Sequence, residues 1–290
     1  MIFAPRLSYT VPLPGRAPLE LGDRTVVMGI LNVTPDSFAD GGLYVDVDRA
    51  VAHAYEMVEQ GAGIIDVGGE STRPGAAALP EDEELARVLP VIHRLASCGL
   101  AVPISVDTYK AAVARAAIQR GATIINDVSG LQYDARMAPV AAETGAALIL
   151  MHNRGRSKEM YREAAYENVM EEVCAELGAA MQQAIDAGVR RESIVLDPGL
   201  GFAKRAEHTY TALGDFDRLV GLDRPILSGP SRKSFLRAAL GEHPADQRDW
   251  GTAAAVTASI LQGAHIIRVH NVPAMRDVAS VADRIRAGAV

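Results

Sequence analysis

Eight short apolar runs recur along the chain, each ending in a small cluster of polar residues and each parted from the next by a helix-like segment. The runs span 26–31 into Asn32, 63–67 into Glu70 and the residues up to Arg73, 102–106 into Asp107, and 122–125 into Asn126 and Asp127. They continue with 147–151 into His152, 193–196 into Asp197, 225–227 into Gly229 and the residues up to Lys233, and 265–267 into Arg268 and His270. Strand–helix alternation eight times over describes an α/β fold of the (β/α)8 barrel type, whose active site lies at the C-terminal ends of the strands. An open doubly wound sheet is the competing architecture. No Gly-x-Gly-x-x-Gly follows the first run, and the polar clusters end all eight runs instead of gathering at one switch point. Both points favour the barrel.

The 290 residues suit one barrel. Residues 1–24 hold four of the 15 prolines and read as an extended N-terminal arm, with room for a short hairpin. Residues 25–290 read as a single domain whose eight units share no sequence period. Helical apolar spacing marks 46–60, closed by Gly61, and 81–97 begins with an acidic turn suited to a helix N-terminus. Further helices are expected over 110–119, 134–143, 166–187, 208–220, 249–262 and 273–286, with loops at 32–42, 68–80, 153–158 and 241–247.

A formal net charge of −7 argues against a broad nucleic-acid footprint. No apolar run approaches the roughly 20 residues of a membrane helix. Residues 1–14 lack a continuous apolar core, so no secretory leader is expected and a cytoplasmic protein is the reading. Cys98 and Cys174 lie in helix-like sequence without a partner motif and read as buried or half-buried free thiols.

The run ends offer three carboxylates (Asp66, Asp107, Asp197), two amides (Asn32, Asn126), three cations (Arg73, Lys233, Arg268) and two histidines (His152, His270). Carboxylates and amides pair with the edge of a nitrogen heterocycle, and Arg and His hold phosphate oxygens. An oxygen-rich segment with Asn32, Thr34 and Asp36 suits a Mg²⁺ that keeps most of its waters. The set points to a pocket for a polar ring at one end and phosphate at the other. Asp66 reads equally well as a buried hydrogen-bonding partner, and His152 as a satisfied strand-end histidine. His53, His93 and His208 read as surface or capping groups. The segment from Gly229 to Phe235 reads as a Gly-led turn opening a helix, able to hold a phosphate or a carboxylate. No zinc-ligand spacing is present.

Together the segments 28–38, 66–75, 105–108, 125–130, 151–152, 196–202, 229–234 and 267–270 resemble, in order, the motifs of the dihydropteroate synthase family, a folate-pathway family targeted by sulfonamides. The resemblance implies a (β/α)8 transferase, usually a homodimer. It would join 6-hydroxymethyl-7,8-dihydropterin diphosphate to p-aminobenzoate, giving dihydropteroate and pyrophosphate. It also implies roles for individual residues. Asp107, Asn126 and Asp197 would pair with the pterin edge, Lys233 would contact its carbonyl, and Arg268 would stack on its face above a pocket lined by Met151. Asn32, Thr72, Arg73, Arg268 and His270 would hold diphosphate, with Asn32 near Mg²⁺ and Asp36 near Mg²⁺ or the developing cation. Thr72, Pro74, Phe202, Ser231 and Ser234 would form the p-aminobenzoate site, its carboxylate near Ser234 and the following helix N-terminus. Segments 32–42 and 68–75 resemble the family's two mobile loops.

Departures are mild. Leu200, Ala203 and Asn271 stand where the family pattern has Phe or Ile, Gly, and Asp, and residues 153–155 replace a more apolar stretch. A pterin-binding methyltransferase would share Asp107, Asn126 and Asp197 but has no use for Arg73, His270 and the 231–234 segment. A non-catalytic paralogue has no need of intact 32–42 and 70–75 segments.

Overall fold

Residue parity along the strands decides where the chemistry sits. The computed structural model describes residue 3 and residues 6–34, 43–71, 78–155 and 164–288. A hairpin of β1 (Tyr9–Val11) and β2 (Leu19–Leu21) precedes eight parallel strands. These are β3 (Val26–Asn32), β4 (Ile64–Gly68), β5 (Ile104–Asp107), β6 (Ile124–Asp127), β7 (Ala147–Met151), β8 (Ile194–Asp197), β9 (Leu227–Ser228) and β10 (Ile266–Val269). They pair in the order β8-β7-β6-β5-β4-β3-β10-β9. A bridge between Leu196 and Ile226 joins the two ends, with the Leu196 N–H donating to the Pro225 carbonyl at 2.9 Å. β9 is short because Pro225 and Pro230 flank it and neither can donate to a ladder. The expected barrel is therefore present.

Met28, Ile64, Ile124, Ile149, Val195, Leu227 and Ile266 pack together inside the barrel. Val11, Leu13 and Leu21 of the arm join that cluster, so the hairpin plugs the end where the strands begin. Side chains alternate along a strand. The inward parity therefore runs from Ile64 to Asp66, Ile124 to Asn126, Ile149 to Met151, Val195 to Asp197, and Ile266 to Arg268. Apolar residues fill the depth and polar ones reach the mouth. The opposite parity (Val27, Ile65, Val106, Ile125, Leu148, Leu196) joins the larger core beneath the helices.

Those helices are α1 (Leu43–Glu59), α2 (Glu81–Ser97), α3 (Ala111–Gln119), α4 (Met137–Thr144), α5 (Val169–Asp186), α6 (Ala206–Gly214), α7 (Arg237–Leu240), α8 (Asp249–Leu261) and α9 (Val272–Ala287). The expected 208–220 helix is instead split: α6 ends at Gly214 and a 3-10 segment covers Phe216–Leu222. Cys98 is exposed, against expectation, because it caps α2 just before Gly99 turns the chain at φ +72°. Cys174 is half-buried. Among the described residues no helix is long and apolar enough to cross a membrane.

Candidate active site

Arg268, the third residue of β10, lies between two carboxylates, Asp66 in the middle of β4 and Asp107 at the end of β5. Its Nε donates to Asp66 Oδ2 at 2.6 Å and its Nη2 to Asp107 Oδ2 at 2.7 Å. Asn126 Nδ2 adds a bond to the same Asp66 oxygen at 3.1 Å. Asp66 is thus a buried bonding partner, one of its two open readings. Gly68 borders this group: a Cβ there would stand 3.4 Å from that of Asp107, an ordinary contact. Asp66 Oδ1 and Asp107 Oδ1 are buried with no hydrogen-bond partner. Burial pushes the Asp107 carboxyl up to about 7, against the pull of the Arg268 guanidinium.

Asp197 ends β8 and also divides its oxygens. Oδ1 accepts the Gly199 N–H at 2.7 Å. Oδ2 faces Gly229, where a Cβ would lie 3.9 Å from it and 3.8 Å from the Arg268 Cβ. Burial raises the Asp197 carboxyl, and the Lys233 ammonium is the largest opposing influence. Lys233 Nζ donates to the Leu200 carbonyl at 2.6 Å and stands 4.2 Å over the Phe202 ring. Burial lowers Lys233 to about 8. Met151 is buried at the end of β7, and Asn32 ends β3 half-buried, opposite Gly68 in the pairing register.

Ser231 and His270 tie the loops after β9 and β10 together. Ser231 Oγ and His270 Nδ1 are 2.9 Å apart, and the His270 N–H donates to the same oxygen at 3.2 Å. Asp249 secures the arrangement from α8. It takes Arg232 Nε at 2.7 Å and Nη2 at 2.9 Å, and Asn271 Nδ2 at 2.8 Å. The departure to Asn271 has a physical consequence here: its oxygen caps α9 through the Ala274 N–H while its amide donates to Asp249, which an aspartate cannot do. Ser234 is exposed and opens a 3-10 turn, Ser234–Leu236, before the four-residue α7. The helix expected after Ser234 is too short to contribute much dipole.

Two partly buried polar clusters form around Lys204 and Lys110, and sequence spacing does not reveal their pairings. Lys204, fully buried, points its Nζ at His152 Nδ1, 2.8 Å away, and His152 Nε2 faces Glu176 at 3.1 Å. Arg154 pairs with Glu176 and with Glu172. His152 is a satisfied structural histidine, lowered to about 4 chiefly by burial. His208 is half-buried, its ring meeting that of Tyr166 edge-on at 5.1 Å. In the second cluster Glu70 accepts from Tyr109 Oη at 2.7 Å and Lys110 Nζ at 2.5 Å, and Lys110 also pairs with buried Glu84. Asp36, Thr72, Arg73 and Pro74, with most of the two loops they belong to, lie outside the described residues.

Asp107, Asn126, Asp197, Lys233 and Arg268 thus converge on one polar mouth, with Phe202 and Ser231 on its β8 and β9 sides. A family model described as "Pterin binding enzyme" matches residues 28–270. Dihydropteroate synthase of Bacillus subtilis is 46% identical over 265 residues, covering 91% of this chain and 90% of the relative. A dihydropteroate synthase of Clostridium difficile, solved in the presence of pteroic acid, superposes with a TM-score of 0.87 at 44% identity, covering 92% of this chain and 98% of that one. The Xanthomonas albilineans enzyme, solved with 4-aminobenzoic acid, gives a TM-score of 0.87 at 41% identity, with 96% and 99% covered.

Proposed function

This chain belongs to the pterin-binding enzyme family, and we propose from that premise how its barrel mouth divides the work of a dihydropteroate synthase among its residues. The reaction joins 6-hydroxymethyl-7,8-dihydropterin diphosphate to p-aminobenzoate, yielding dihydropteroate and pyrophosphate for folate biosynthesis. The observation that carries the division is the pair of split carboxylates. Asp107 spends one oxygen on Arg268 and Asp197 one on Gly199. Asp107 Oδ1 and Asp197 Oδ2 then remain for the N–H groups of an aminopyrimidinone edge, with Asn126 beside them. Asp66 and Asp107 fix the plane of Arg268, and a planar cation held this way stacks on the ring. Lys233 meets the ring carbonyl.

Displacement is dissociative in this reading. The methylene–oxygen bond breaks first, its electrons leave with pyrophosphate, and positive charge spreads into the electron-rich dihydropterin. The aniline nitrogen then attacks and loses its proton. No protein nucleophile takes part. His270, Arg268 and Asn32 receive the diphosphate, joined by Thr72 and Arg73, while Phe202, Ser231 and Ser234, with Thr72 and Pro74, receive p-aminobenzoate. Mg²⁺ would be held by the Asn32 amide oxygen and diphosphate oxygens, with Asp36 nearby. An amide donor at the mouth fits a hard cation that keeps most of its waters, and when bound it neutralises charge on the leaving group. A cytoplasmic homodimer completes the proposal.

Purified protein given the pterin diphosphate and Mg²⁺ tests this, with pyrophosphate and dihydropteroate both followed. Product formed only when p-aminobenzoate is added supports the reading. Pterin binding without product overturns it.

A further inference from the structure

Residues 199–203, just past Asp197, make a turn with unusual backbone. Gly199, Gly201 and Ala203 have φ of +64°, +76° and +46°. Glycine adopts this region freely and alanine does not. The turn carries Phe202 at one end and the Asp197-binding N–H of Gly199 at the other. Lys204 lies fully buried behind it. Its Nζ is 3.3 Å from the Gly199 carbonyl, 3.2 Å from the Phe202 carbonyl and 2.8 Å from His152 Nδ1. Burial lowers the Lys204 amine to about 7; in its protonated form its three N–H donors meet three acceptors. His152 Nδ1 accepts, so its Nε2 carries the hydrogen toward Glu176. Tyr166 Oη donates to the Ala203 carbonyl at 3.0 Å and closes the far end.

We propose that Lys204 is a positioning residue for the p-aminobenzoate subsite, its buried ammonium pinning both ends of the turn and so setting where Phe202 stands. This rests on the placement of Phe202 in that subsite. The ammonium touches neither substrate. It acts by holding carbonyls that a left-handed alanine strains, in a chain where the family pattern has glycine at 203.

Lys204→Met removes the donors and keeps the length. The KM for p-aminobenzoate should rise about tenfold, the effect of one charge-assisted hydrogen bond, while the Kd for the pterin changes less than about twofold, measured by calorimetry. Amide exchange across residues 199–203 should quicken. Adding Ala203→Gly should recover part of the lost p-aminobenzoate affinity, because glycine keeps the turn without the clamp. Lys204→Gln, which retains a donor without a buried charge, gives a second measurement and should fall between wild type and Lys204→Met. Unchanged exchange in either folded variant overturns the clamp, and equal losses for both substrates overturn the positioning role. Faster exchange with an unchanged KM overturns Phe202 as a subsite residue and leaves the clamp standing.

Discussion

Arg268 Nη2 donates to Asp107 Oδ2 at 2.7 Å and leaves Asp107 Oδ1 buried without a partner. A buried carboxylate oxygen without a donor is costly, and a pterin N–H would relieve it. Asp107→Asn keeps the shape but loses the charge that favours both donors. Pterin affinity should fall by about 2–3 kcal/mol, roughly 30- to 150-fold in Kd. Calorimetry with the pterin alone checks this; an unchanged Kd removes Asp107 from the ring edge.

Arg268 also offsets two carboxylates that have little access to water. Arg268→Ala should destabilise the fold by about 3–5 kcal/mol, the cost of stranding a buried charge, as well as weakening pterin and pyrophosphate binding. Arg268→Lys reaches only one carboxylate well, so its stability should fall between the two. Urea unfolding of the three proteins gives the order. A wild-type midpoint for Arg268→Ala would show that the guanidinium does not offset a buried charge in the free protein.

The mouth was legible because an apolar strand that ends in one inward polar residue announces itself. Asp107, Asn126, Asp197 and Arg268 each follow such a run, and parity alone aims them at the axis. Lys204, Lys110 and Asp249 had no such mark. Lys204 looks like a surface lysine until the Gly199 and Phe202 carbonyls and His152, 52 residues away in sequence, converge on it. Asp249 looks like a helix start, and only the fold brings Arg232 and Asn271 to it. The exposed Cys98 and the break at Gly214 both lie at helix ends, where sequence periodicity is weakest.

His265 should make stability sensitive to acid. Its Nδ1 accepts the Ile226 N–H at 3.1 Å and its Nε2 faces the Leu7 carbonyl at 3.0 Å, so the neutral ring ties the arm to the barrel. Burial lowers it to about 4, from an ordinary 6.5. The depressed value means its contribution is complete above pH 6.5 and is lost as pH falls toward 4. His152 is lowered to about 4 as well. Unfolding free energy should therefore drop by up to about 1.4 kcal/mol per pH unit for each histidine in that window. His265→Gln should remove one proton's worth of slope; an unchanged slope excludes this residue as the source.

Lys110 bridges Glu70, at the stem of the segment that carries Thr72 and Arg73, and Glu84 within α2. Glu84 is 1% exposed and its carboxyl is raised, with burial the largest cause. Its Oε1 has no partner, so Lys110 is its principal compensation. Lys110→Met should cost about 3–5 kcal/mol of stability. Adding Glu84→Gln should return part of that loss, because the uncompensated charge is gone. Glu70→Gln should cost less than Lys110→Met, since Tyr109 Oη can still donate to the amide oxygen. Because methionine keeps the length of the stem, the loss in Lys110→Met reads the ammonium: if Glu84→Gln recovers nothing in that background, the Glu84 charge is not what Lys110 compensates.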